Sequence, residues 1–111
     1  MSTAGPPIDR AHLARYTLGD TALEREVLDL FREQLVRTLP QLTASASEKD
    51  WRLVAHTLKG SGRAVGAWRL SAAAAAAEAA FEHGAGARGD LVRAVEEAAR
   101  EVIDHLEAAR R

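Results

Sequence analysis

Apolar residues recur along most of this chain at steps of three and four, and no stretch alternates with the period of two that a half-buried strand shows. The pattern predicts an all-α protein. Ile8, Leu13 and Tyr16 mark one side of a short helix starting near Asp9. Gly19-Asp20-Thr21 breaks it. Thr21-Ala22-Leu23-Glu24 then has the form of a capping box, in which a hydroxyl and a carboxylate satisfy reciprocal backbone donors. A long helix is predicted from there, with Leu23, Val27, Leu30, Phe31, Leu35, Leu39 and Leu42 as its seam. Pro40 predicts a kink rather than an end, because the seam continues beyond it.

After the polar stretch 43–49, a third helix is predicted from residue 49 or 50 to about residue 65. Gly66 interrupts it. Trp68, Leu70, the alanines at 72–77, Ala79, Ala80 and Phe81 form a fourth helix of very high intrinsic propensity, whose small side chains let neighbouring helices approach closely. Gly84, Gly86 and Gly89 mark a loop, and Asp90 caps a fifth helix with the seam Leu91, Val95, Ala98, Val102, His105 and Ala109. With short connections, antiparallel neighbours are the natural packing, which gives an up-down four-helix bundle with a short additional N-terminal helix. Residues 1–7, with Gly5, Pro6 and Pro7, read as a flexible lead, and 8–111 as a single domain.

Composition narrows the chemistry. A chain of 111 residues holds one core and little room for a second, ATP-binding domain. Its 15 basic and 16 acidic residues nearly cancel, so no overall field draws nucleic acid or an anionic membrane. The lack of cysteine removes disulfides, thiol nucleophiles and thiolate metal sites, and fits an intracellular protein. The N-terminus lacks the basic start and apolar stretch of a secretory signal, and no segment approaches the roughly 20 apolar residues that span a bilayer. The reading is a soluble, cytoplasmic protein, and the methionine start with a complete bundle favours a separate chain over a fragment.

The third helix holds the candidate site. At roughly 100° per residue, Trp51, Val54, Ala55, Leu58, Gly62 and Val65 share the core side. Arg52, His56, Lys59, Gly60 and Arg63 fall on the other, within an arc of roughly 100°, so His56 points to water. An exposed histidine is ordinary by itself. Gly60 is not: one turn after His56 on the exposed face, a glycine costs about 1 kcal/mol relative to alanine and gains no packing. Gly62 repeats that cost. What Gly60 supplies is room for a bulky phosphoryl donor to approach the imidazole in line. Lys59 supplies a flexible cation for phosphoryl oxygens, with Arg52 and Arg63 extending the positive field. Like-charge repulsion from these cations is expected to favour the neutral, nucleophilic imidazole.

Ala55-His56-Thr57-Leu58-Lys59-Gly60-Ser61-Gly62-Arg63-Ala64-Val65-Gly66-Ala67 resembles the signature of histidine phosphotransfer (HPt) domains, H-x-L-K-G-S followed by G-A or G-L. The resemblance extends more loosely over residues 8–108, in a short leading helix, Gly-Asp before a long helix, a Pro within it, and Gly-Asp before the last helix. It implies that His56 is the phosphoryl acceptor, Lys59 the stabilising cation and Gly60 the residue that clears access. It also implies partners: receiver domains of response regulators and of hybrid histidine kinases, which hand the phosphoryl group over from an aspartyl phosphate and take it up again. No intrinsic cofactor is expected, Mg²⁺ belonging to the partner receiver, and no autonomous kinase activity. A monomer is expected. Gly62, Arg63 and Ala64 depart from the family's usual small or polar residues, which bears on partner preference and local helix order.

Other readings compete. Gly60-Ser61-Gly62 lacks the spacing and the preceding strand of a phosphate-binding loop. A kinase dimerisation domain would carry an acidic residue and a proline after its histidine, where this chain has Thr57 and Ser61. A phosphotransfer domain cut from a chemotaxis-type or hybrid kinase fits the same motif, and a helical adaptor without phosphoryl chemistry fits the bundle. Leu53, near Gly60 and away from the core, could belong to an apolar docking patch with Arg52 and Arg63, or be one exposed leucine among many. His12 lies on the leading helix, His83 near a helix C-terminus where a cation suits the dipole, and His105 on the last seam. No two histidines have a helical metal-ligand spacing.

Overall fold

Asp9 starts the first regular element of the computed structural model, which describes residues 6–45, 47–80 and 84–109. Most of the predicted lead, together with Phe81 and His83, lies outside them. Five helices are present among the described residues: α1 (Arg10–Thr17), α2 (Thr21–Ala44), α3 (Glu48–Val65), α4 (Trp68–Glu78) and α5 (Gly84–Ala109), with no strand. The all-α expectation holds. α3 packs most closely on α4, α4 on α5, and α2 on both α3 and α5, so the four longer helices close a ring while α1 lies against α2 and α3.

The core follows from helical periodicity, though not always from the predicted seam. In α2 the buried stripe is Leu28, Phe31, Leu35, Thr38 and Leu42, whereas Leu23 and Leu30 are exposed. This helix carries two interleaved apolar stripes, and packing against α3 and α5 chooses between them. The helix runs through Pro40 to Ala44, as predicted. Its cap sits one residue earlier than expected: the Asp20 carboxylate accepts from Leu23 N–H at 3.0 Å, and Glu24 pairs with Arg10 at 2.7 Å instead of closing a capping box. In α1, Leu13 and Thr17 are buried and Tyr16 is exposed, because residues four apart share a face and Tyr16 lies about 100° away.

α5 departs most. It begins at Gly84, so the predicted glycine loop is helical; glycine lowers helix propensity without forbidding a helix, and Ala85, Ala87 and Arg88 between the glycines are good helix formers. Its buried seam is Val95, Ala99, Val102 and Leu106. His105 stays half-buried at the rim, because the bulkier apolar Leu106 gains more from burial, about 1.5–3 kcal/mol for a leucine side chain. The alanines of α4 behave as expected: Ala74 and Ala77 are fully buried against neighbouring helices, while Ala72 and Ala76 face out.

Candidate functional site

Ser47 caps α3 by accepting from Asp50 N–H at 3.1 Å, and Glu48 and Asp50 in the first turn complement the positive end of the helix. At the other end Gly66 adopts φ +80° as the C-cap. A side chain there would also collide with Asp9, whose Cβ and carbonyl oxygen would lie 2.9 Å from an added Cβ. Asp9 N–H donates to Gly66 O at 2.9 Å, and its carboxylate accepts from Trp68 Nε1–H at 3.0 Å and His12 N–H at 3.1 Å. Those bonds hold the Asp9 carboxyl below the usual carboxylate range, the Trp68 bond foremost. Leading helix and α3–α4 turn are thereby tied together.

The amphipathic division of α3 follows the prediction except at its boundary, where Val54, expected in the core, and Lys59, expected in solvent, are both half-buried. Trp51, Ala55, Leu58, Gly62 and Val65 are buried, while Arg52, Leu53, His56, Gly60 and Arg63 face solvent. The two glycines separate in meaning. At Gly60 an added Cβ would meet nothing within 4 Å, so no packing demand explains its missing side chain. At Gly62 a Cβ would lie 3.3 Å from both Ala67 O and Ser71 N, so this glycine lets the start of α4 approach.

His56 has 64% of its side chain exposed. The group nearest its imidazole is a carboxylate that the sequence reading did not single out. Glu78, at the last turn of α4, places Oε2 2.9 Å from His56 Nδ1 and Oε1 2.7 Å from Lys59 Nζ. One carboxylate thus holds both residues. The Lys59 hydrogen bond, reinforced by His56 and opposed by partial burial, keeps the Glu78 carboxyl below the usual range, so it is ionised near neutral pH. An ionised carboxylate only accepts hydrogen bonds. His56 Nδ1 therefore carries the proton, and in the neutral ring the lone pair is on Nε2.

Side-chain contacts between α3 and α4 explain how Glu78 arrives there. Trp51 Nε1–H donates to Ala77 O, one residue before Glu78, and Ser71 Oγ–H donates to Lys59 O at 3.1 Å. Glu78 left one trace in the sequence, as the lone charge between Arg69 and Glu82 in an alanine-rich helix. The positive field is smaller than expected. Lys59 is paired with Glu78 and Arg52 with Glu48 at 2.8 Å, leaving Arg63 as the cation of this face with no ion pair among the described residues. Leu53 is 62% exposed beside Arg52.

The model of one known family, described as Hpt domain, matches residues 26–111. No curated protein and no solved structure matches the chain. The matched span contains His56, Lys59, Gly60 and Glu78 and leaves α1 outside.

Proposed function

The chain belongs to the Hpt domain family, and from that premise we propose that it carries a phosphoryl group on His56. Family membership places it in histidine phosphotransfer of two-component signalling, with receiver domains as partners. The observation that supports His56 as the acceptor is its geometry: the ring is exposed while Nδ1 is anchored on Glu78 at 2.9 Å, which directs the lone pair of Nε2 outward.

In the proposed reaction the Nε2 lone pair forms an N–P bond as the O–P bond of a receiver's aspartyl phosphate breaks. The aspartate carboxylate leaves with the electron pair, and Nδ1 keeps its proton. No second catalytic base is needed, because transfer through a loose transition state depends on positioning and charge stabilisation. Lys59, on its flexible stem, supplies charge to the phosphoryl oxygens. Gly60 keeps the approach open. The receiver contributes its own aspartate and Mg²⁺, and this chain acts as a carrier without kinase activity. No described helix is long and apolar enough to cross a membrane.

Incubation with a phosphorylated receiver domain tests the reading. Wild type is expected to gain an acid-labile label and His56→Gln none. Label on the Gln variant would overturn the assignment.

A further inference from the structure

A phosphorylated imidazole gives up its phosphoryl group at a rate that depends on the proton on its other nitrogen. With that proton present, the ring leaves as neutral imidazole; without it, as imidazolate, a much poorer leaving group. In alkaline solution, solvent alone does not hold the proton there. On the reading that His56 is the acceptor, we infer that Glu78 is a positioning residue for outward transfer: its carboxylate keeps the proton on Nδ1 of phosphorylated His56, so the ring departs neutral.

Geometry carries this. Glu78 Oε2 already stands 2.9 Å from Nδ1, on the side of the ring away from the reacting Nε2, and phosphorylation at Nε2 leaves that contact intact. Attack by Nε2 makes the ring cationic, and a charge-assisted hydrogen bond to a carboxylate strengthens at that moment. Among the described residues, the charged groups on this side of the bundle are Glu78 from α4, and from α3 Lys59, Arg52 and Arg63, with Arg52 already paired to Glu48. Glu78 is thus, among the described residues, the anion able to hold the proton, with Lys59 as a second partner on its other oxygen. In the outward step the N–P bond breaks, its electron pair returns to Nε2, a new O–P bond forms on the receiving aspartate, and the Nδ1 proton stays.

The test uses the full chain phosphorylated chemically with phosphoramidate, with loss of the phosphoryl group to water followed in the phosphorus NMR signal that is absent from His56→Gln, since the chain has three other histidines. At about pH 8.5, Glu78→Gln is expected to lose it roughly three- to tenfold more slowly than wild type, the scale of one partly solvated charge-assisted bond. At about pH 5.5 the gap is expected to close, because solvent then protonates both rings. The same pattern is expected in a Lys59→Gln background, and Glu78→Asp, which keeps the charge, should recover part of it. Circular dichroism checks that each variant folds. Equal rates at the higher pH, a gap of equal size at both, or a gap that vanishes with Lys59 would each overturn the inference. Label gained by His56→Gln from a phosphorylated receiver domain would instead remove the assignment of His56 itself.

Discussion

Glu78 and His56 stand 22 residues apart in sequence, yet the Glu78 carboxylate lies 2.9 Å from His56 Nδ1, and its other oxygen lies 2.7 Å from Lys59 Nζ. The exposed histidine and the lysine one turn after it thus share one anchor. The arrangement fixes the tautomer of the imidazole and holds the lysine beside the site before any partner arrives.

Lys59 has two roles that one substitution separates. Lys59→Gln is expected to slow acceptance from a phosphorylated receiver roughly tenfold, less than loss of a fully buried transition-state donor because the site is solvated. The same change removes the main cause of the lowered Glu78 pKa, so the Glu78 carboxyl should titrate closer to its ordinary value of 4.5. Because that pKa is lowered in the fold, Glu78 contributes stability above pH 4.5 that is lost as pH falls through the lower folded value. In the variant this acid-sensitive contribution should shrink. Carbon-detected NMR titration of Glu78 and stopped-flow transfer measure the two effects.

The glycines of α3 should respond oppositely. Gly60→Ala puts a methyl group into open space and is expected to stabilise the helix by about 0.5–1 kcal/mol with transfer largely retained. Gly60→Gln should keep the stability and slow transfer, since only a longer side chain reaches over the approach to His56. Gly62→Ala should destabilise by about 1 kcal/mol net, overpacking outweighing the gain in helix propensity. Its neighbours Ala67 O and Ser71 N are backbone atoms held by hydrogen bonds and cannot rotate away. Urea denaturation with parallel transfer assays distinguishes these outcomes.

Trp51 fixes the end of α4 that carries Glu78. Trp51→Phe keeps most of the apolar surface but deprives Ala77 O of its side-chain donor, leaving it the Ala79 N–H, at an expected cost of about 0.5–1.5 kcal/mol. Transfer should fall as well, because the last turn of α4 is then less firmly set against His56. A variant as stable and as active as wild type would contradict this role.

His105 makes stability depend on pH. Burial, and secondarily the Arg10 guanidinium 3.5 Å from Nε2, lowers its pKa below the ordinary 6.5. The fold therefore prefers the neutral ring. Its full contribution is present above pH 6.5 and is lost as pH falls from there toward the lower folded value. Thermal melts should show wild type losing more stability across that window than His105→Gln. Parallel curves would rule the effect out.

Much of this protein was legible because helix formation and amphipathicity are local. The steps of three and four located the helices, Gly66 marked the break after α3, and the motif around His56 put an exposed histidine, a lysine and a glycine on one face. Capping was legible in kind and not in detail, since Asp20 and Thr21 both suit an N-cap and Arg10 claimed the Glu24 carboxylate. Where two apolar stripes interleave, as in α2, the side turned inward was set by which helices lie beside it. Glu78 illustrates the limit most clearly. By sequence it is a solitary charge in an alanine helix; packing of α4 on α3, set by Gly62, Ser71 and Trp51, brings it onto both His56 and Lys59. Periodicity along one helix determines which residues share a face. Which residue of another helix meets that face depends on crossing geometry and register, and those are set by packing across the whole core.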